Sequence, residues 1–194
     1  MDRVRLYGTV MVMLFFCAAL MAGCAKPPTE ELVRAGKALE EARAKEVHLY
    51  MEDAFNKAEA DLKKAKDLVA EKKYKEARSL AEEAAAGLQR ALSEVESAKA
   101  KMKADADQLA AEIRSATNEL KSLVADAVRQ KAGISREEAQ GLIGKAEIDL
   151  LNIKVRLETG KVRVAYDDLK VLKAEIAAQK EKVLAAVSPA REKE

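Results

Sequence analysis

The chain has 194 residues and nearly balanced charge, 35 Lys and Arg against 33 Asp and Glu, with one His and a net charge of +2. Charged residues make up 35% and aromatics only 4%, there is no Trp, and Ala alone supplies about a fifth. This excludes a sandwich, barrel or Rossmann domain, which need β-branched and aromatic strands, and gives no reason to invoke nucleic acid. The composition points to an all-α fold of elongated helical hairpins packed as a coiled-coil-like helical bundle.

Arg3 and Arg5 precede an apolar run from Val10 to Leu20. Those 11 residues would rise about 16 Å, half a bilayer core, which suits a signal peptide better than a membrane span. Leu20-Met21-Ala22-Gly23-Cys24 resembles the lipobox of bacterial lipoproteins, with Met21 where Leu is usual. The resemblance implies removal of residues 1–23 and attachment to a membrane through lipid on Cys24. An ordinary secretory signal cleaved near Ala22 would instead leave Cys24 as a lone thiol in an oxidising compartment, since Cys17 departs with the signal. Ala25 resembles the class sent to the outer membrane, where Asp would imply inner-membrane retention. The expected location is therefore the periplasmic face of the outer membrane. Residues 24–29, with Pro27-Pro28, read as the lipidated Cys and an extended spacer.

No proline lies between Thr29 and Ser188, which favours helix throughout. Thr29 reads as an N-cap ahead of Glu30 and Glu31. Phe55, Ala58, Leu62, Ala65 and Val69 step by three and four along one helix face, and Glu71-Lys72-Lys73 interrupts them. A second seam opens at Tyr74 and runs through Ala77, Ala81, Leu88, Val95, Met102, Leu109, Ile113 and Leu120 to Ala127, with Asp105 interrupting. It shifts register after Leu109, where a change of partner is expected. Gly133 is the expected left-handed stop, and Ser135-Arg136-Glu137-Glu138 matches a capping box. The next helix carries Ala139, Leu142, Ala146, Leu150, Ile153 and Leu157, with Gly141 and Gly144 three apart. Gly160 marks a turn, and a last helix carries Val162, Ala165, Leu169, Leu172, Ile176 and Val183. The expected divisions are a first hairpin with a long second helix over 30–132, a second hairpin over 133–187 and a disordered tail over 188–194.

Lys57-Ala58-Glu59-Ala60-Asp61-Leu62 recurs as Lys145-Ala146-Glu147-Ile148-Asp149-Leu150, an offset of 88 positions. The same offset pairs Thr29 with Thr117, Leu32 with Leu120, Lys73 with Lys161 and Ala77 with Ala165. An internal repeat of a helical hairpin is the reading, with a bend expected near Ala44 to His48.

The opening Cys24-Ala25-Lys26-Pro27-Pro28-Thr29-Glu30-Glu31-Leu32, with Ala58-Glu59-Ala60-Asp61-Leu62, Tyr74-Lys75-Glu76-Ala77-Arg78 and Ala81-Glu82-Glu83-Ala84, resembles an uncharacterised family of Ala-rich helical lipoproteins of Gram-negative envelopes. The likeness covers roughly residues 24–103. It implies a helical fold and an envelope location, and no activity.

His48 stands alone, without Cys or carboxylates at ligand spacing, so no metal site is expected. Asp167 and Asp168 point about 100° apart on a helix and read as a solvated face. Lys99, Lys101 and Lys103 spread around their helix with no aromatic beside them in sequence. Tyr74 and Tyr166 read as turn-packing residues. There is no phosphate loop, nucleophile elbow or zinc motif, so no catalytic residue or cofactor is expected. The leading reading is a non-catalytic tethered spacer, scaffold or adaptor that meets a protein partner or itself through its helices. The alternative is a module holding an apolar or peptide ligand in a cavity lined by Leu142, Ile143, Ile153 and Leu157. In the scaffold reading, the segment from Thr29 to Glu71 runs back along the long helix. Its first piece then arrives near residues 107–116, the hairpin at Glu71 to Tyr74 projects as a thin arm, and the N-terminus sits far from the arm tip.

Overall fold

The computed structural model describes residues 26–191. Six helices and no strands occur among them: α1 (Thr29–Ala44), α2 (Val47–Tyr50), α3 (Glu52–Ala70), α4 (Tyr74–Arg129), α5 (Arg136–Glu158) and α6 (Val162–Arg191). The chain divides into two compact units, one of residues 26–44 and 53–92, the other of 45–52 and 93–191. The division falls inside α4, whose 56 residues run unbroken through the register shift after Leu109.

Three of the helix ends use one device. After α3, Lys73 N–H reaches the Leu68 carbonyl at 2.9 Å and Lys72 N–H the Val69 carbonyl at 3.0 Å, with Lys72 at φ 60°. Ala132 and Lys131 do the same after α4, and Lys161 and Gly160 after α5. This is the Schellman pattern, which satisfies the last carbonyls of a helix through a left-handed residue. The residue that closes α4 is Lys131 at φ 52°, not the expected Gly133, which turns the chain two positions later at φ 77°. Ser135 starts α5 as expected: its hydroxyl accepts the Glu138 N–H at 3.1 Å, and the Glu138 carboxylate accepts the Ser135 N–H at 3.1 Å. At the other end, α6 continues to Arg191, so the tail expected to be disordered from 188 is helical over 188–191. Residues 192–194 lie outside the described ones.

In the first unit, α1, α3 and the start of α4 pack through small residues. Ala35, Ala38, Leu39 and Ala42 of α1 are buried with Phe55, Ala58, Leu62 and Ala65 of α3 and Ala77, Ala81, Ala84, Ala85, Leu88 and Ala91 of α4. Alanine at the contacts lets helix axes approach closely. Arg78 of α4 pairs with Glu31 of α1 at 2.7 Å, and farther along, Lys37 and Glu41 flank Gln89 and Leu92. Helix α1 is therefore parallel to α4. Arg43, at the end of α1, pairs with Glu59 early in α3 and lies 5.9 Å over the Phe55 ring, so α3 runs antiparallel to both.

This overturns the expected geometry. The start of α1 lies beside the start of α4, not near residues 107–116, and α1 joins the hairpin as a third helix. The physical cause is the reversal after Ala44. Glu46 takes φ 60°, and the 4-residue α2 turns the chain before α3 begins.

In the second unit, the later part of α4 packs with α5 and α6 around larger side chains. Ile113, Leu120, Val124, Ile153, Leu157, Leu169, Leu172, Ile176 and Val183 form the core. Lys173 pairs with Glu112 at 2.8 Å and Lys180 with Glu119, each across 61 positions, so α4 and α6 are parallel. Lys145–Glu175 at 2.6 Å and Arg156–Asp168 place α5 antiparallel to α6. Segment 45–52 docks in this unit: Val47 is fully buried, Arg163 donates to the Leu49 carbonyl at 2.9 Å, and Lys99 meets Glu46 at 3.4 Å.

Candidate functional site

The signal segment 1–23 and the expected anchor Cys24 lie outside the described residues. The Pro27 carbonyl accepts the Thr29 N–H at 2.9 Å and the Pro28 carbonyl accepts the Leu32 N–H at 3.1 Å. Pro28 is the N-cap and Thr29 the first helical residue, one position earlier than expected, since the carbonyl that takes the first intrahelical bond defines the cap. Pro28 is also almost completely buried. The parallel course of α1 and α4 puts it at the same end of the unit as the turn Glu71-Lys72-Lys73. There Lys73 pairs with Glu71 at 2.7 Å, and its hydrogen bond to that carboxylate raises the ammonium pKa.

The residues weighed for chemistry are separated. His48 is exposed on α2. Among the described residues, no group of three or more His, Cys, Asp and Glu side chains could hold a metal ion. Asp167 accepts from Arg163 at 2.8 Å, which holds its carboxyl below the ordinary 3.8. Asp168 is engaged by Arg156 of α5. The two carboxylates therefore answer to different cations on different helices. Lys103 pairs with Asp107 at 3.2 Å, whereas the Lys99 ammonium lies 5.4 Å from the Tyr50 ring centre. Sequence neighbourhood missed that aromatic because Tyr50 arrives from 49 positions away. Lys170 caps the Tyr166 ring at 4.3 Å, and Tyr74 is half-buried at the start of α4.

Of the four residues expected to line a ligand cavity, Ile153 and Leu157 turn into the core and Ile143 packs partly against it. A shallow groove between α5 and α6 includes Ile153, but its rim is Asp149, Asn152, Arg156, Asp168 and Glu175. Lys145 donates to Glu175 at 2.6 Å and to Asp149 at 2.9 Å, bonds that raise its pKa. Glu112 is shifted below its ordinary 4.5 by hydrogen bonds from Lys173 and then Gln108. These pairs set helix register. What sequence reasoning missed is the outward face of α5, where Ile148, Leu151 and Val155 are exposed at 61%, 66% and 53%. The signal was present: Ile148, Leu151 and Val155 repeat the three-four spacing on the face opposite Ala146, Ile153 and Leu157.

Among the described residues, no helix is long and apolar enough to cross a membrane. No family model matches this chain, and no curated protein or solved structure matches it.

Proposed function

We propose that this chain is a non-catalytic envelope lipoprotein, held by lipid on Cys24 at the periplasmic face of the outer membrane, and acting as a helical scaffold or adaptor. The observation that carries the reading is the lipobox-like Leu20-Met21-Ala22-Gly23-Cys24 directly after a basic start and a short apolar run. A packed Pro28 only four residues beyond Cys24 supports it. Four residues reach about 14 Å at most, so an anchored first unit stands close to the bilayer on the end that carries Pro28 and the hairpin turn at 71–73. Two or three acyl chains hold such a protein essentially permanently, at about 0.8 kcal/mol per buried CH₂. The test is Cys24→Ser with radiolabelled palmitate and membrane fractionation. Loss of label and accumulation of precursor are expected; a variant still labelled and processed overturns the reading.

The two hairpins α3–α4 and α5–α6 are read as copies of one unit. Burial recurs 88 positions apart: Ala58 with Ala146, Ala65 with Ile153, Ala81 with Leu169, Leu88 with Ile176 and Val95 with Val183. The pair Lys57–Asp61 at 2.6 Å recurs as Lys145–Asp149 at 2.9 Å. Replacing residues 71–74 by the sequence of 159–162 should then leave helix content unchanged and stability within about 1 kcal/mol.

A further inference from the structure

Helix α5 is apolar on two opposite faces. One packs into the core through Ala146, Ile153 and Leu157; the other presents Ile148, Leu151 and Val155 to solvent. A helix apolar all round is normally covered on all sides. The outward stripe continues through Gly144 and Gly141, where nothing lies within 4 Å of the place a Cβ would occupy. Spacing Gly141, Gly144, Ile148, Leu151, Val155 alternates three and four, the pattern of a two-helix seam.

We infer that this face docks a second copy of the same chain, with the two α5 helices antiparallel. The charge pattern selects the partner. Glu147 and Lys154 lie on the same edge of the stripe, on either side of its centre between Ile148 and Leu151. Within the protomer Glu147 meets Lys121, and Lys154 lies 3.8 Å from Glu158, both as exposed pairs; an antiparallel copy adds a second partner to each by bringing Glu147 opposite Lys154 of the other, twice by symmetry. The same register sets Ile148 against Leu151 and small Gly144 against large Val155, so the layers interdigitate. In a parallel pair like would meet like, glycine opposite glycine, and Glu147 would not reach Lys154. On the other edge, the Lys145 and Arg156 charges are answered within the protomer by Glu175, Asp149 and Asp168, so they do not oppose the approach. The inference deepens the adaptor reading by naming one partner, and it holds whether or not Cys24 carries lipid.

The experiment is sedimentation equilibrium of the full chain in mild detergent, in the native and Cys24→Ser backgrounds, with circular dichroism as the folding control. Both backgrounds should dimerise alike, so failure of the anchor reading leaves this result untouched. Leu151→Asp, at an exposed position, should keep its helix content and weaken dimerisation by at least about tenfold. Glu147→Lys and Lys154→Glu alone should each weaken it roughly tenfold, and the double swap should restore it. The double swap does not restore the internal Lys121–Glu147 pair, so recovery reports the contact between copies. A monomer at all concentrations, a Leu151→Asp variant that dimerises as well as the native chain, or a double swap no better than the singles overturns the inference.

Discussion

Ala81 and Leu169, 88 positions apart, are both fully buried, yet they make opposite demands. The buried residues of the unit that holds Ala81 are mostly alanines, the composition of close helix approach. Ala81→Leu should destabilise by about 1–3 kcal/mol through overpacking, and Leu169→Ala by about 2–5 kcal/mol through the cavity it leaves. Urea unfolding of each variant checks both. Charge acts more weakly, because the ion pairs are exposed. Glu112 has its folded pKa lowered, so its stabilising share is present above the ordinary value of 4.5 and is lost as pH falls through the depressed one. Lys145 is the reverse: raised, it stabilises below 10.5 and that share is lost as pH rises beyond the folded value. Glu112→Gln should therefore shallow the acid side of the stability profile and leave its alkaline side as in the native chain, measured as thermal midpoint against pH.

At the scale of elements, the turns carry the sharpest expectations. Lys72 and Gly160 sit at the same place in their turns with φ 60° and 81°. A left-handed conformation costs a non-glycine residue about 1–2 kcal/mol. Lys72→Gly should therefore stabilise the protein slightly, by under about 1 kcal/mol after the extra unfolded-chain entropy, and Gly160→Ala should destabilise it by about 1 kcal/mol. Ser135→Ala, which removes the capping box of α5, should cost about 1 kcal/mol. Opposite signs at Lys72 and Gly160 in denaturant titrations would verify the matched turn geometry. The turns were readable because their bonds join residues at most five apart, and Gly160 announces one of them. Lys72 and Lys131 announce nothing by residue type, which is why Gly133 attracted the expectation that belongs to Lys131.

For the molecule as a whole, the course of α1 decides what the hairpin is. Spin labels at positions 30 and 75 lie at the same end of the first unit and should be within about 20 Å. If α1 instead lay along residues 107–116, the separation would be about 54 Å from the helical rise alone. The pattern Ala35, Ala38, Leu39, Ala42 did mark an apolar face on α1. It could not say which helix would cover that face, since alanine faces on α3 and α4 offer nearly equivalent seats.

Helix identity, the two hairpin turns and the seams Phe55 to Ala65 and Val162 to Val183 follow from the sequence by itself. Each rests on contacts between residues three to five apart, and no proline lies between Thr29 and Ser188. The 88-residue offset marked a bend near Ala44 to His48, but tertiary structure alone decided that it is a full reversal through a left-handed Glu46, where no glycine or proline stands. It also decided the seating of segment 45–52 beside Lys99 and Arg163, and the burial of Ala106, Thr117 and Val124 in place of a strict heptad. On α5 the inward face Ala146, Ile153 and Leu157 was part of the seam read from spacing, and the tertiary structure added that Ile148, Leu151 and Val155 stay exposed on the opposite face. Thr117 shows the reason in one residue: its hydroxyl, bonded to the Ile113 carbonyl at 2.8 Å, is tolerable in a core because the helix supplies the acceptor. Whether that position faces a core at all depends on helices that begin 19 and 45 positions later in the sequence.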